Sequence, residues 1–143
     1  MTNQPNRDNI YNKEVMQLKM NREQFKKIID AYYAQSPPTK FVLAVDFDHT
    51  LCYSSYPLCG DETPIAAFIR SVQDMDVIII ISTCREGKSA ELAKEWLKEH
   101  NIRWDYFNEN DPARIEIYKD CRKIYCDMLI DDTAYCFNMN DFE

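Results

Sequence analysis

The most informative part of the chain is the stretch FVLAVDFDHTL, which runs from Phe41 to Leu51. It opens with five apolar residues, the pattern of a strand that is buried on both faces. Two carboxylates, Asp46 and Asp48, follow at the C-terminal end of that strand. Side chains two positions apart in an extended chain project from the same face, so both carboxylates can share one site. Because neighbouring carboxylates repel, the pair indicates a shared proton or a hard cation such as Mg²⁺, unless the segment is a plain turn.

The composition favours one folded domain. The chain has 143 residues, is 45% apolar and contains only 2 glycines, which suits a sizeable core. No apolar run approaches the roughly 20 residues of a membrane span, and the N-terminus lacks the apolar centre of a signal peptide. We therefore expect a cytoplasmic protein with no membrane partner. The 6 cysteines form no Cys-x-x-Cys pair and have no histidine at zinc-finger spacing, so we expect free thiols.

The net charge of −7 is unevenly distributed. The basic excess lies in the first 39 residues, and the remainder of the chain is strongly acidic. Such a body does not attract nucleic acid through net charge. A phosphorylated substrate, including a nucleic-acid end, is still compatible with this charge, because a metal and a few local cations can hold one phosphate.

The apolar spacing predicts strands and helices that alternate, which is typical of an α/β fold. We expect a three-layer, Rossmann-like parallel sheet with flanking helices. Thr63 and Pro64 have the residue types of an N-cap and a first helical position. In the helix after the second strand, Leu92, Ala93, Trp96 and Leu97 are expected to face inward. The predicted helices cover 12–33, 64–72 and 89–100, the predicted strands cover 41–45, 77–81, 104–107 and 124–130, and 52–62 is a loop.

The chain divides into an N-terminal helical extension with its linker, residues 1–38, and a core of residues 39–143. The helix precedes the first strand and carries an apolar stripe that includes Phe25 and Ile29, so we expect it to pack on the flank of the core. Two further roles are open for it: covering the site, or joining two subunits in a homodimer.

Reactive side chains follow three of the predicted strands. Asp46 and Asp48 follow the first, Thr83 and Arg85 the second, and Asp131 with Asp132 the last. Ligands of open parallel sheets bind at the carboxyl ends of the strands. Acidic strand ends taken singly are typical of solvated caps. Together with a hydroxyl and a cation, they indicate a metal-assisted phosphate site.

These residues resemble the haloacid dehalogenase-like hydrolase superfamily over about residues 41–136. Its phosphatases carry Asp-x-Asp-x-Thr after strand one, Thr or Ser after strand two, Lys before strand four and an acidic pair after it. This chain has Asp46 to Thr50, Thr83, Lys123 and the Asp131–Asp132 pair. The segments STCREG, FNEN and RKIYCDMLIDD are similar to those of small, mostly bacterial and phage-type members. His49 departs from the family, which usually has Gly at that position.

The resemblance implies a Mg²⁺-dependent phosphomonoester hydrolase that works through an aspartyl-phosphate. Asp46 would be the nucleophile, and Asp48 the general acid and then the base. Mg²⁺ would be held by Asp46, the backbone carbonyl of Asp48 and Asp131. Asp132 would support the metal through its water shell, and Thr50 would brace the loop.

The resemblance also implies a set of residues that bind the substrate. Thr83 would donate to a phosphate oxygen, and Lys123 would bind the phosphoryl group, with Lys119 as a rival for that role. Arg85 would meet a second anionic group on the substrate or else form a structural salt bridge. Cys84 is grouped with these residues by its position in the same loop.

The sequence has no room for a cap domain between Thr50 and Val77 or between Phe107 and Lys123. We therefore expect a capless core with an open site, suited to a large or extended substrate. The resemblance implies a nucleotide or a polynucleotide phosphate end as that substrate. Three other classes compete with this hypothesis. A thiolate phosphatase built on Cys84 lacks the full phosphate-binding loop, and a receiver domain has its acidic pair on strand one. A catalytically silent protein that binds phosphate and metal is the main alternative.

Overall fold

The computed structural model describes residues 20–133, and these residues form four helices and four strands. In chain order the elements are α1 (Arg22–Ala34), β1 (Phe41–Val45), α2 (Pro64–Val72), β2 (Val77–Ile81), α3 (Gly87–Glu99), β3 (Tyr106–Phe107), α4 (Pro112–Tyr118) and β4 (Met128–Ile130).

The strands form one parallel sheet in the order β3-β2-β1-β4. β1 pairs with β2 from Phe41↔Val77 to Val45↔Ile81 and with β4 on its other side. The chain moves outward from β1 through β2 to β3 and then crosses back to β4. Right-handed crossovers therefore place α4 on the opposite face from α2 and α3. The predicted Rossmann-like α/β sheet is confirmed.

Both faces of the central strands are buried, which explains their unbroken apolar sequences. On one face, Leu43 and Ile79 belong to the main hydrophobic core. On the other face, Val42, Ala44 and Ile80 are buried as well. The residues that follow β1 therefore start from a strand that is fixed on both faces and along both edges.

Helix α1 begins later than the sequence predicts. Asn21 is extended and caps the helix by accepting a hydrogen bond from the backbone N–H of Gln24 at 2.9 Å. The expected helix from residue 12 is therefore wrong at Met20 and Asn21, since neither is helical. Residues 12–19 lie outside the described part of the chain.

The buried side of α1 packs against the sheet, as predicted. Phe25 is fully buried and meets Phe41 and Phe68 edge to face, with ring centroids 5.8 and 5.7 Å away. Ile29 is buried in the same core. Burying two such side chains stabilises the fold by roughly 1.5–3 kcal/mol each.

Strands β3 and β4 begin later than predicted because an aspartate directly before each strand replaces part of its backbone pairing. The Asp105 carboxylate accepts the backbone N–H of Ile79 at 2.8 Å, and the Asp127 carboxylate accepts that of Val42 at 2.8 Å. A side chain thus takes the place of a strand carbonyl, and regular pairing begins one residue later. The connection from β3 to β4 was expected to be irregular, but it contains α4, which begins with Pro112 at its first turn.

Helix α3 buries Ala93, Trp96 and Leu97 as predicted, but the expectation for Leu92 is wrong. Leu92 is 38% exposed and lies at the border of the apolar stripe, where its carbonyl faces the Cys59 thiol. The Trp96 indole N–H donates to the carbonyl of Gly60 at 2.8 Å, so α3 also holds the loop that follows β1.

The 5 cysteines within residues 20–133 are free thiols, as predicted, and Cys136 lies outside that range. None of the helices in the described part of the chain is long and apolar enough to cross a membrane.

Candidate active site

The strand order brings the ends of β1 and β4 together. The backbone N–H of Asp46 donates to the carbonyl of Ile130 at 2.9 Å, which extends the ladder by one residue. Asp46 and Asp131, far apart in sequence, therefore leave adjacent strands side by side. This is also the point where the strand order reverses, the usual ligand position in open α/β sheets.

Three carboxylates meet at this point. One oxygen each of Asp46, Asp131 and Asp132 lies within 4.8 Å of the others. The buried Thr50 hydroxyl lies 3.1 Å from Asp46 Oδ2 and 3.3 Å from Asp132 Oδ1, and it accepts the backbone N–H of Asp132 at 3.0 Å. Thr50 thus links the loop after β1 to the loop after β4.

The negative charge of the three carboxylates is not balanced by any basic side chain within residues 20–133. Burial raises the pKa of Asp46 to about 6, with the Asp132 and Asp131 carboxyls adding to the effect and hydrogen bonds from Phe47 and Thr50 opposing it. Hydrogen bonds from Thr133 instead hold the pKa of Asp131 below its ordinary value. Within residues 20–133, none of the three carboxylates forms an ion pair with a basic side chain. A hard divalent cation fits this oxygen-only donor set.

The set of carboxylates differs from the expected metal ligands. Asp132 was expected only to support a metal through water, yet its carboxylate lies within ligand distance of the other two. The carboxylate of Asp48 is not part of the cluster. It turns instead toward Arg85, which leaves only its backbone carbonyl as a candidate ligand.

Asp48 and Arg85 form a bidentate ion pair. Arg85 Nη2 lies 2.7 Å from Asp48 Oδ1, and Nε lies 2.9 Å from Oδ2. Burial alone would raise the pKa of Asp48, but hydrogen bonds from Arg85 and Ser54 and the charge of Arg85 lower it overall. The pair therefore favours the ionised carboxylate, which suits a general base better than a general acid.

The expectation that Arg85 binds the substrate is wrong, because its side chain is only 1% exposed. Its Nη1 donates to the carbonyls of Pro57 at 2.8 Å and Ser89 at 3.0 Å. The guanidinium carbon lies 5.1 Å from the Phe47 ring centroid and 5.0 Å from that of Tyr56. Arg85 thus forms the structural salt bridge that the sequence left open as the other outcome.

The loop after β2 presents a hydroxyl. Thr83 Oγ1 accepts the backbone N–H of Arg85 at 3.2 Å, so its own proton remains available to a ligand. The backbone N–H of Thr83 donates to Asn108 Oδ1 at 2.8 Å. Asn108 follows β3 and therefore holds the loop that carries Thr83, a role that the sequence analysis did not assign to it. The signal was an asparagine directly after a strand at the carboxyl edge of the sheet.

The structure does not bring either lysine to the carboxylates. Lys123 and Lys119 are exposed, and neither forms an ion pair within the described residues. The Lys123 segment is positioned by the buried Asn110, whose Nδ2 donates to the Lys123 carbonyl at 3.0 Å. Asn110 is a second residue that the sequence analysis overlooked.

Two other predicted residues are exposed. Cys84 lies at the surface, and the arginine beside it is committed to Asp48, so the pair does not form a thiolate site with a phosphate-binding cation. His49 has φ of 60°, a left-handed conformation that favours glycine. Its side chain is exposed and does not fill the site.

Within residues 20–133, the carboxylate site is accessible to solvent, since Asp46 and Asp131 are partly buried and Asp132 is exposed. A cavity of about 360 Å³ lies farther along the same edge, between the loop after β3 and residues 120–124, and none of the three carboxylates lines it. Its lining includes Asn108, Asn110 and Arg122.

Comparison with known proteins gives one structural relative. The solved structure of a conserved protein from Bacteroides thetaiotaomicron is similar to this chain, with a TM-score of 0.59 and 29% sequence identity. The match covers 67% of this chain and 78% of that chain. No protein-family model matches the chain, and no curated protein matches it either.

Proposed function

We propose that this protein is a divalent-metal-dependent phosphomonoester hydrolase with Asp46 as its nucleophile. The observation that carries the proposal is the meeting of three unneutralised carboxylates, Asp46, Asp131 and Asp132, at the reversal point of a parallel sheet. Asp46 and Asp131 are partly buried and Asp132 is exposed. Like charges held this close together repel, which favours a role in binding a cation or in chemistry. The resemblance of these residues to the haloacid dehalogenase-like hydrolases supports the same assignment.

In the first step, a carboxylate oxygen of Asp46 attacks the phosphorus atom of the ester. The bond from phosphorus to the leaving oxygen breaks, and its electron pair goes to that oxygen. Asp48 supplies the proton that this oxygen takes up. Because Arg85 favours the ionised form of Asp48, leaving groups that need little protonation suit this step best.

In the second step, water attacks the phosphorus atom of the aspartyl-phosphate and gives a proton to Asp48. The bond between phosphorus and Asp46 breaks, which restores the carboxylate and releases inorganic phosphate. The ion pair with Arg85 suits Asp48 to this proton-accepting role, since it keeps the carboxylate charged and oriented.

Mg²⁺ is the cofactor that the three carboxylates fit best, because all the donors are hard oxygens. When bound, it would offset the repulsion between phosphate and carboxylates and stabilise the charge that develops in transfer. Asp46, Asp131 and Asp132 would hold it, with the backbone carbonyl of Asp48 as a further ligand. We further propose that Thr83 donates to the phosphate and that Lys123, or Lys119, approaches it when substrate binds.

Hydrolysis of 4-nitrophenyl phosphate with and without Mg²⁺ tests the proposal. We expect turnover with Mg²⁺, none after exhaustive chelation, and inhibition by Ca²⁺, which accepts looser coordination. Asp46→Asn should abolish turnover and leave thermal unfolding unchanged, since an amide is not a nucleophile. Asp105→Asn at the opposite edge of the sheet is the matched control for activity. Activity of Asp46→Asn above a tenth of wild type would refute the assignment.

A catalytically silent protein that binds metal and phosphate is the second candidate. Two observations favour it. The carboxylate of Asp48 forms an ion pair with the buried Arg85. Within residues 20–133, no lysine forms an ion pair with a carboxylate of the site. Titration calorimetry with Mg²⁺ separates the two candidates. A silent protein would bind Mg²⁺ in a way that depends on Asp131 and yet show no hydrolysis of any phosphomonoester in a broad panel.

A further inference from the structure

The loop of residues 52–62 exposes three large side chains beside the site. Tyr53, Tyr56 and Leu58 are each more than half exposed. Large exposed apolar side chains grouped on one loop are typical of a surface that binds a ligand or a partner. The loop follows directly from the segment that carries Asp46 and Asp48, so any ligand on it lies near the reacting groups.

Tyr56 is held in place although the residue is 66% exposed. It lies in a tight turn closed by two backbone hydrogen bonds between Ser55 and Leu58, at 3.1 and 2.9 Å. Its hydroxyl lies 3.3 Å from Ser89 Oγ on α3. One side of the ring faces the Arg85 guanidinium at 5.0 Å. A side chain that is already ordered loses little conformational entropy when a ligand binds to it.

The same guanidinium connects Tyr56 to Asp48. Arg85 Nη2 lies 2.7 Å from Asp48 Oδ1, and the Tyr56 ring lies on that guanidinium. Asp48 is the residue that exchanges a proton with the leaving oxygen in the proposed reaction. The ring and the proposed proton donor therefore share one guanidinium, so a leaving oxygen that takes its proton from Asp48 would lie on the same side of the site as Tyr56.

The chemistry of this surface favours a planar ring over an anion. The donors of Arg85 are directed at Asp48, Pro57 and Ser89, so the buried cation is not free to bind a second phosphate. It polarises the tyrosine ring, and an aromatic ligand can stack on the remaining solvent-exposed ring surface.

We propose that Tyr56 stacks on a planar aromatic ring in the leaving group of the substrate. This inference rests on the proposed hydrolase function and adds a substrate class to it: phosphomonoesters of phenols or of nucleosides. Both sources supply the same chemistry, a flat ring close to the ester oxygen. They differ in whether the ring is bonded to that oxygen directly or through a sugar.

The test is a comparison of kcat/KM for four substrates in wild type and Tyr56→Ala. The substrates are phenyl phosphate, a nucleoside 5′-phosphate, a nucleoside 3′-phosphate and glycerol 2-phosphate as the aliphatic case. Stacking on one ring is worth about 1–3 kcal/mol, so Tyr56→Ala should lower kcat/KM for the ring-bearing substrate roughly 5- to 150-fold. The value for glycerol 2-phosphate should change less than about twofold. The aromatic substrate whose kcat/KM falls shows whether the ring belongs to a phenol or to a nucleoside.

Two variants control for the structural role of Tyr56. Tyr56→Phe keeps the ring and should keep the preference for aromatic substrates. Tyr118→Ala removes another exposed tyrosine, on α4, and should change neither class of substrate. If Tyr56→Ala lowers kcat/KM equally for glycerol 2-phosphate and for every aromatic substrate, Tyr56 only supports Arg85 and the stacking proposal fails.

A binding measurement separates this inference from the hydrolase proposal. Phenylphosphonate and methylphosphonate have no ester bond to hydrolyse. Calorimetry with Mg²⁺ therefore measures how much the aromatic ring contributes to binding affinity, without turnover. We expect phenylphosphonate to bind more tightly and Tyr56→Ala to remove the difference. If wild type hydrolyses nothing but shows this difference, the hydrolase proposal alone fails. If the two phosphonates bind equally to wild type, the stacking proposal fails.

Discussion

The aspartates at the two edges of the sheet differ in whether a basic side chain pairs with them. At the amino edge, one aspartate precedes each of β2, β3 and β4, and each is paired with a basic side chain. At the carboxyl edge, the three clustered aspartates have no basic partner within residues 20–133. The paired sets are Asp76 with Lys40, Asp105 with Arg103 and Asp127 with Arg114, and the unpaired set is Asp46, Asp131 and Asp132.

This difference separates charges that stabilise the fold from charges that no basic side chain balances within residues 20–133. Asp105 and Asp127 accept backbone N–H groups of the neighbouring strands, so removing them leaves buried donors unsatisfied. Within the described part of the chain, the carboxylates of Asp46 and Asp131 accept no backbone N–H group from a neighbouring strand. Their mutual repulsion lowers the stability of the fold unless a cation is present. The comparison supports the placement of the candidate site at the carboxyl edge, without reference to any relative.

Asp48 is the exception, because it lies at the carboxyl edge but is paired like the aspartates of the amino edge. Its partner, Arg85, is more deeply buried than any other arginine in the described residues. The pair thus belongs to the fold and to the site at once. Four predictions sharpen or break the comparison, and they are ordered by the size of the expected effect.

Replacing Arg85 should have the largest effect. Arg85→Met leaves the partly buried Asp48 carboxylate unpaired, which costs about 3–5 kcal/mol of unfolding free energy. Adding Asp48→Asn removes that stranded charge, so the double variant should regain part of the loss. Urea denaturation of the two single variants and the double variant measures this. An Arg85→Met protein as stable as wild type would show that the pair does not support the fold.

Asp131→Asn tests the unpaired edge. The asparagine oxygen can still accept the hydrogen bonds from Thr133, so the melting temperature without metal should stay the same or rise. Loss of the charge should weaken Mg²⁺ binding about 10- to 100-fold, and activity at limiting Mg²⁺ should fall in proportion. Calorimetry and a Mg²⁺ titration of turnover provide the measurements. A large drop in melting temperature would assign Asp131 to the fold instead.

Asp127→Asn is the matched substitution at the other end of β4. Here the charge is paired with Arg114, whose Nε already lacks a hydrogen-bond partner. Neutralising Asp127 should lower the unfolding free energy by about 2–3 kcal/mol, while kcat per folded molecule stays at the wild-type value. Thermal unfolding and an activity assay below the transition check both parts. Equal effects of Asp127→Asn and Asp131→Asn on stability would remove the distinction between the edges.

Glu62 gives the smallest effect and a pH dependence. Hydrogen bonds from Arg70, then from His100, lower its pKa from 4.5 to about 2. A lowered pKa means that this stabilisation is complete above about pH 4.5 and is lost as the pH falls toward 2. The side chain is 30% exposed, so screening reduces the contribution to about 1 kcal/mol.

The measurement is the difference in unfolding free energy between wild type and Glu62→Gln across that pH range. Wild type should be the more stable protein at pH 6, and the gap should narrow as the pH is lowered. A gap that stays constant from pH 6 to pH 3 would mean that the charge of Glu62 does not contribute.

Much of the fold could be predicted from local chemistry. The apolar runs of β1 and β2 indicate buried parallel strands, and Thr63 with Pro64 marks the start of α2, where the Thr63 hydroxyl accepts the N–H of Ile65. The ends of β3 and β4 were less predictable. There, Asp105 and Asp127 hydrogen-bond to residues of distant strands, and no local pattern reports such contacts.

The candidate site divides in the same way. The positions of Asp46 and Asp131 follow from sequence, because each directly ends an apolar strand and parallel strands end at one edge. The orientation of Asp48 does not follow, because it depends on a guanidinium 37 residues away in the chain. Asn108 and Tyr56 were missed for the same reason, since their partners Thr83 and Ser89 lie in other elements.

By itself, the sequence determined which strands are buried, that the sheet is parallel, and that acidic side chains gather at its carboxyl edge. These features depend on hydrophobic burial and on strand direction, which the residue pattern carries directly. Only the tertiary structure decided that Arg85 pairs with Asp48, that Asp132 lies in one cluster with Asp46 and Asp131, and that Tyr56 lies over the guanidinium. Each of these depends on the packing of side chains from separate elements, where a shift of a few ångströms changes which partner a charged group selects.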